Sequence, residues 1–143
     1  MIGLDTSFLV GLTIREHPSH RRCRALFDNE IVGREGSAAL AAQVLSEFPH
    51  IVTDPRRFAR PLAMQDALDI CSQWWHASEC RPVCPSPESV SVYLRWMQQH
   101  RLGRKRLLDT MLAACYHCAG VTRLATTDWR DFQLFGVFEI EAL

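Results

Sequence analysis

Short apolar segments alternate with helical patterns along the whole chain, and this alternation limits the possible fold more than any other feature of the sequence. Four of these segments predict buried strands, and a fifth, at residues 81–85, indicates an extended link or a short strand. The four are residues 1–4, 38–41, 121–125 and 137–140. Strands that alternate with helices predict a three-layer α/β/α sandwich around a central, mostly parallel sheet.

Helical patterns fill the stretches between these strands. Thr6 or Ser7 is the expected cap of the first helix, which continues through residues 8–12. Pro87 suits the first position of a helix that starts near Ser86, because that position needs no amide donor. The other predicted helices span residues 19–29, 43–52, 64–77 and 107–119.

A chain of 143 residues fits one domain, residues 1–143, whose core needs no disulfide or structural metal. Its 48% hydrophobic and 22% charged residues are typical of a folded globular protein. No apolar run reaches the roughly 18 residues that a membrane helix needs, and the first residues lack a basic signal-peptide region. We therefore expect a cytoplasmic protein without a membrane segment. The net charge of zero means that any nucleic-acid binding depends on local patches.

Five carboxylates stand out because each lies in or beside apolar sequence that would fix its position. They are Asp5, Glu47, Asp109, Asp128 and Asp131. Asp5 follows the first predicted strand and Asp128 follows the strand at 121–125, so both should open onto the carboxyl edge of the sheet, where α/β folds bind ligands. Glu47 and Asp109 belong to helices that could lean over the same edge.

Each carboxylate also has a purely structural interpretation. Asp5 could cap the first helix, Asp109 could complement the dipole of its own helix, and Glu47 could be a solvated acid. Four like charges at one site would repel one another without a cation, so the group together favours a hard divalent ion, Mg²⁺ or Mn²⁺. Asp131 lies three residues after Asp128 and could share or compete for its role, and we rank Asp128 first.

Two pairs of cysteines, each with a nearby histidine, raise the alternative of a zinc site. The residues are Cys80 and Cys84 with His76, and Cys115 and Cys118 with His117. The second pair lies within an apolar helical pattern and lacks the tight turn of zinc ribbons and fingers. We favour reduced, packed thiols, because free cysteine behaves as a small hydrophobic residue.

Four motifs that occur in order along the chain resemble the PIN-domain ribonucleases, specifically the VapC toxins of prokaryotic toxin–antitoxin pairs. The motifs are Met1-Ile-Gly-Leu-Asp5-Thr6-Ser7, Val44-Leu-Ser-Glu47, Leu108-Asp109-Thr-Met-Leu-Ala113 and Ala125-Thr-Thr-Asp128-Trp-Arg-Asp131-Phe132. The resemblance covers nearly the whole chain. It implies a PIN-like fold, metal-dependent endoribonuclease activity, a homodimer and inhibition by a small VapB-type antitoxin.

The resemblance also implies roles for the matched carboxylates. Asp5 and Asp109 would be the strongest direct ligands of Mg²⁺ or Mn²⁺. Glu47 would hold the metal or a metal-bound water, and Asp128 would complete the cluster, with Asp131 as a further catalytic candidate. Such a site activates a water and stabilises the leaving oxygen during phosphodiester cleavage.

Thr6 and Thr126 would orient these carboxylates through hydrogen bonds. Contact with the RNA phosphates needs positive charge near the acids, and the first candidate is the run Arg101, Arg104, Lys105 and Arg106 before the helix of Asp109. A second run comprises Arg56, Arg57 and Arg60. Either run could instead be an ordinary solvated loop.

Tryptophans at positions 74, 75 and 96 could stack on bases, but their helical setting favours the core, a dimer interface or an antitoxin groove. Two further classes of function stay open beside an RNase toxin. One is a PIN-type nuclease that acts on DNA or on structured ends. The other is a non-catalytic PIN domain that binds RNA or protein, for which lost acids would be expected.

Overall fold

The computed structural model describes all residues from 1 to 143 and contains one sheet of five strands. In chain order the strands are β1 (Ile2–Leu4), β2 (Ala38–Ala41), β3 (Cys80–Val83), β4 (Arg123–Thr126) and β5 (Glu139–Ala142). Their order across the sheet is β3-β2-β1-β4-β5, and all four pairings are parallel. The predicted α/β architecture is confirmed, and the sheet is parallel throughout.

Seven α-helices connect and cover the strands. They are α1 (Thr6–Thr13), α2 (His20–Leu26), α3 (Ala42–Val52), α4 (Met64–His76), α5 (Pro87–Gln99), α6 (Leu107–Cys118) and α7 (Trp129–Gln133). A π-helical turn, Phe27–Ile31, extends α2, and a short 3₁₀ turn, Arg104–Arg106, precedes α6. Helices α1 to α4 pack together as one layer, while α5 and α6 pack as the other. None of these helices combines the length and the apolar character that crossing a bilayer requires.

Several predicted boundaries were wrong. The cap of α1 is Asp5, not Thr6 or Ser7, and its side chain accepts a hydrogen bond from the Thr6 amide. The helix predicted over residues 19–29 ends at Leu26 and continues as the π-helical turn. The predicted strands 121–125 and 137–140 begin about two residues later than expected, at Arg123 and Glu139. The short helix α7 was not among the predicted helices.

Tyr116 of α6 lies across the buried face of β1 and β2. Its phenol is within hydrogen-bond distance of the carbonyl oxygens of Leu4 (2.6 Å) and Ala39 (3.1 Å), and it accepts from the Ala41 amide at 3.1 Å. A Cβ at Gly3 would come within 3.0 Å of the Tyr116 ring. Glycine at this position therefore lets α6 approach β1 closely, and the phenol fixes the ends of the two strands that precede α1 and α3.

Candidate active site

The carboxylates predicted to form a site meet where the strand order of the sheet reverses. Strand β1 has β2 on one side and β4 on the other, and Leu4 pairs with Ala125 at their carboxyl ends. Asp5 directly follows β1, and Asp128 lies two residues beyond the end of β4. Ligands of open α/β sheets bind in the crevice at this switch point.

A cavity of about 420 Å³ opens at this edge. Its walls include four carboxylates that come from four separated stretches of sequence: Asp5, Glu47, Asp109 and Asp128. Helix α3 supplies Glu47, and the first turn of α6 supplies Asp109. The structure thus brings together the four residues that the sequence predicted as metal ligands.

Asp5 is only 6% exposed, and three protein donors hold its carboxylate. Oδ1 accepts from the Thr6 amide at 2.8 Å, and Oδ2 accepts from the hydroxyls of Ser7 at 2.6 Å and Thr126 at 2.7 Å. A carboxylate has about four acceptor positions, two on each oxygen. One position on Oδ1 therefore remains for a ligand, which limits Asp5 to binding through that oxygen.

Burial raises the pKa of Asp5, because the charged form loses its hydration. The hydrogen bonds from Ser7, Thr126 and Thr6 oppose this rise, and the nearby charge of Glu47 adds to it. An anionic Asp5 is thus stabilised by neutral donors, with no positive side chain among these partners. A bound cation would complete the compensation of its charge.

Glu47 and Asp109 stand on helices and face the same cavity. The Thr6 hydroxyl donates to Glu47 Oε2 at 2.6 Å, which fixes the Glu47 side chain beside the start of α1. Burial raises the pKa of Asp109 to about 6, and the charges of Asp5, Asp131 and Glu47 add to the rise, whereas Arg106 opposes it. Asp109 therefore carries a negative charge near neutral pH at an energetic cost.

Asp128 and Asp131 occupy different positions. Asp128 is exposed and lines the cavity with the other acids, whereas Asp131 does not line it. The guanidinium of Arg106 forms an ion pair of 3.0 Å with Asp131 and a long one of 3.9 Å with Asp109, and it also donates to the Asp131 carbonyl oxygen. Asp131 is thus neutralised by Arg106, and the ranking of Asp128 ahead of it stays a prediction.

The same ion pairs change the prediction for the basic run. Arg106 is engaged with Asp131 and is not free for RNA phosphate, whereas Arg104 and Lys105 are exposed in the 3₁₀ turn before α6. Arg101 of the predicted run is exposed as well, so three of its four residues keep the surroundings expected of phosphate-binding side chains, and Arg106 does not.

The tryptophans and the cysteines differ among themselves in burial. Trp96 is 7% exposed and stacks on Phe135 with ring centroids 4.6 Å apart, so it belongs to the core. Trp74 is half-buried and contacts Phe8 and Phe27 edge to face. All six cysteines are free thiols, but Cys84 is exposed rather than packed.

The donor set suits a hard divalent cation, because it consists of carboxylate oxygens that lack a compensating positive charge at Asp5. No three His, Cys, Asp or Glu side chains lie close enough together to hold an ion without rearrangement. Magnesium keeps several waters and needs only one or two direct carboxylates. Such an ion would fit here with water between it and the more distant acids.

Comparison with known proteins gives the fold and its relatives. No model of a protein family matches the chain. The curated ribonuclease VapC24 of Mycobacterium tuberculosis is 28% identical over 141 residues, which cover 95% of this chain and 92% of VapC24. These findings, with the solved structures below, confirm the resemblance to the VapC toxins.

Among solved structures, Mycobacterium tuberculosis VapC20, described as a Sarcin-Ricin loop cleaving toxin, matches with a TM-score of 0.73 and 18% identity and covers 97% of this chain and 98% of its own. VapBC2 of Rickettsia felis, bound to a DNA fragment from its promoter, matches with a TM-score of 0.62 and 18% identity and covers 100% of this chain and 99% of its own. At these identities the structures establish the shared fold.

The structure of this VapC-like chain also places residues in the cavity that sequence reasoning did not assign to the site. They are Ser7, Val10, His17, Ile51 and Phe58. Arg57 also lines the cavity, and it belongs to the second basic run that the sequence offered for RNA contact. Val10 and Ile51 could have been found from helix periodicity, because they lie four residues beyond Thr6 and Glu47. The loop residues carry no such signal, since their position depends on how the chain folds after α1 and α3.

Proposed function

We propose that this chain is the toxin of a type II toxin–antitoxin pair and cleaves RNA as an endoribonuclease that depends on Mg²⁺ or Mn²⁺. One observation carries the proposal: carboxylates from four separated stretches line a single cavity at the switch point of a VapC-like sheet. Similarity to ribonuclease VapC24 over 95% of the chain supports the same class of reaction.

Asp5, through Oδ1, and Asp109 are the residues that would hold the cation, with Glu47 and Asp128 binding it directly or through water. When bound, the cation would lower the pKa of a water and neutralise negative charge that develops on the phosphate. The cation would also offset the repulsion that the neighbouring acids exert on the ionised form of Asp109.

The other side chains of the site orient the carboxylates. Thr6 fixes Glu47, and Ser7 and Thr126 fix Asp5, all through hydroxyl hydrogen bonds of 2.6–2.7 Å. Arg106 neutralises Asp131 at the rim, so that Asp131 would act on the site through Arg106 rather than as a ligand. This arrangement holds the acids in place before substrate binds.

The partners of the proposed toxin are a VapB-type antitoxin and a second copy of the chain. VapBC complexes from other organisms are among the proteins with this fold. Exposed apolar side chains on three helices offer surface for such contacts: Met64 and Leu68 on α4, Val90 and Leu94 on α5, and Leu107 and Leu108 on α6. Light scattering on purified protein should give a dimer, and co-expression with the product of an adjacent small gene should give a stable complex.

The direct experiment is cleavage of labelled single-stranded RNA by the purified chain, freed of antitoxin. We expect internal cleavage with Mg²⁺ or Mn²⁺, none in excess chelator, and none by Asp5→Asn or Asp109→Asn in folded form. Full cleavage in chelator would refute the metal dependence. Cleavage of DNA alone would favour the alternative nuclease, and RNA binding without any cleavage would favour a non-catalytic domain.

A further inference from the structure

The acids fill only one end of the cavity. Helices α1 and α3 both run from this acidic end toward a second end of different chemistry: Thr6 is followed one turn later by Val10, and Glu47 is followed one turn later by Ile51. Four residues of helix rise about 6 Å. Beyond these apolar side chains the cavity wall is completed by His17, Phe58 and Arg57.

The second end is large enough for a ligand group of its own. A cation that keeps several waters occupies roughly 150 Å³, at about 30 Å³ for each water. More than half of the cavity of about 420 Å³ therefore remains. Phe58 is half-buried and also lines a neighbouring cavity of about 360 Å³, so its ring forms part of the wall of both.

Arg57 is the one cationic residue of the arginine pair 56 and 57 that lines the cavity. Both arginines neighbour Asp54, but Asp54 accepts from the Arg56 amide at 2.9 Å and from Arg56 Nε at 3.2 Å, whereas Arg57 Nε lies 3.7 Å from it. Arg57 is thus held only by a long ion pair, and its guanidinium can turn to a phosphate in the cavity.

His17 adds a neutral donor. The Ser19 amide donates to His17 Nδ1 at 3.1 Å, which leaves Nε2 as the protonated nitrogen of the neutral ring. An apolar floor, an aromatic ring, an arginine and an imidazole N–H are the groups that single-stranded nucleic acid requires, since bases stack on rings and phosphates accept hydrogen bonds.

We propose that this second end of the cavity, formed by Val10, Ile51, Phe58, Arg57 and His17, binds the nucleotide next to the scissile phosphate of an RNA substrate. The base stacks on Phe58 over the two aliphatic side chains, and the adjoining phosphate binds Arg57 and His17. The inference rests on the proposed RNase function. On this inference, the wall of the second end makes the contacts that align the scissile phosphate with the acids. The exposed residues Arg104 and Lys105 make separate contacts with RNA.

The test uses a set of short single-stranded RNAs of one sequence, each with one abasic ribose. For the parent protein, an abasic ribose at one position beside the cut should lower kcat/KM about tenfold or more, as loss of one stacked base does. Phe58→Leu, which keeps apolar volume in a partly buried position, should abolish this sensitivity at that position alone. A profile for Phe58→Leu identical to that of the parent would overturn the base subsite.

The phosphate contact is tested by binding of intact RNA in chelator, which needs neither metal nor turnover. Arg57→Ala should weaken binding about tenfold, and Arg57→Lys should recover part of the loss. Arg56→Ala is the matched control, because Arg56 contacts the same Asp54 but does not line the cavity. Equal effects of Arg56→Ala and Arg57→Ala would overturn the assignment.

Failure of this inference and failure of the proposed function look different. If the parent protein cleaves no RNA under any condition, the proposed function fails. If the parent cleaves RNA while the Arg57 and Phe58 variants bind and cleave like it, only the subsite is wrong. If these variants weaken binding of an antitoxin but leave RNA binding unchanged, the wall docks a protein and the inference is overturned.

Discussion

The Thr126 hydroxyl donates a hydrogen bond of 2.7 Å to Asp5 Oδ2 and accepts one of 3.0 Å from the Asp128 amide. This single side chain joins the carboxyl ends of β1 and β4 and fixes the relative positions of two of the site's carboxylates. Thr127 strengthens the connection, because its amide donates to Ser7 Oγ at 3.0 Å.

Replacement of Thr126 by valine should therefore disturb the site while it keeps the shape of the side chain. Thr126→Val leaves the Asp128 amide without its acceptor and Asp5 with one hydroxyl donor fewer, so we expect a loss of about 1–2 kcal/mol in the free energy of unfolding. Cation affinity should fall tenfold or more, as is usual when a residue that orients a metal ligand is removed. Calorimetric titration with Mn²⁺ measures this, and Thr126→Ser, which keeps the hydroxyl, should bind like the parent.

The free energy of unfolding without a cation should show how much ionised Asp109 destabilises the folded protein. Its pKa is raised from 3.8 to about 6 in the folded protein, so the folded state disfavours the charged form. This cost is absent below pH 3.8, grows as the pH rises, and is fully present above pH 6. Asp109→Asn should thus be more stable than the parent at pH 7.5, and the difference should vanish near pH 4.

Urea unfolding between pH 4 and 8, in chelator, measures this difference. Asp69→Asn on the exposed side of α4 is the matched control and should show no comparable gain. Added Mg²⁺ should stabilise the parent and leave Asp109→Asn nearly unchanged, because ligand binding stabilises only the state that binds. A parent protein as stable as Asp109→Asn at pH 7.5 without metal would contradict the described electrostatics.

Part of the candidate site could be predicted from the sequence, because the carboxyl ends of parallel strands meet at one edge of the sheet, where α/β folds bind ligands. Asp5 comes directly after the apolar residues of β1, and its position at the sheet edge follows from that order alone. The sequence also indicated β2, α3 and α4 with boundaries close to those observed. These elements have local signals, namely a short apolar run for β2 and apolar residues at helical spacing for α3 and α4.

Other features depend on contacts between distant residues. Val121 is apolar and buried, which suggested a strand, but its amide donates to the Tyr116 carbonyl oxygen and closes α6, so strand pairing begins at Arg123. The ion pair of Arg106 with Asp131 joins residues 25 positions apart and has no local signature. For the same reason the sequence did not distinguish Arg106 from its exposed neighbours.

The exposed residues of the turn before α6 should contribute to RNA affinity rather than to chemistry. Arg104→Ala combined with Lys105→Ala should weaken RNA binding and flatten its salt dependence, since each phosphate contact on a single strand contributes a slope of about 0.7. Cleavage should recover at high RNA concentration. Fluorescence anisotropy across a salt series gives the slope, and a slope equal to that of the parent would remove these two residues from the RNA-binding surface.

Removal of the single phenol oxygen of Tyr116 should lower the stability of the folded protein substantially. Tyr116→Phe leaves the buried Ala41 amide without its acceptor and the Leu4 carbonyl without the phenol, so we expect a loss of about 1–3 kcal/mol in the free energy of unfolding. Tyr93→Phe, at the other tyrosine, is the control, because Tyr93 is partly exposed. Equal unfolding midpoints of the two variants in urea would show that the buried network contributes little.

We expect Asp5, Glu47, Asp109 and Asp128 to form a binding site for a divalent cation. The most direct measurement is the binding of Mn²⁺ to the purified chain, followed by electron paramagnetic resonance of the free ion at pH 7.5. We expect saturable binding by the parent that Mg²⁺ displaces, and at least tenfold weaker binding by Asp5→Asn and Asp109→Asn when circular dichroism shows both folded. Parent protein that leaves Mn²⁺ free, or folded variants that bind it as the parent does, would show that these four acids do not form such a site.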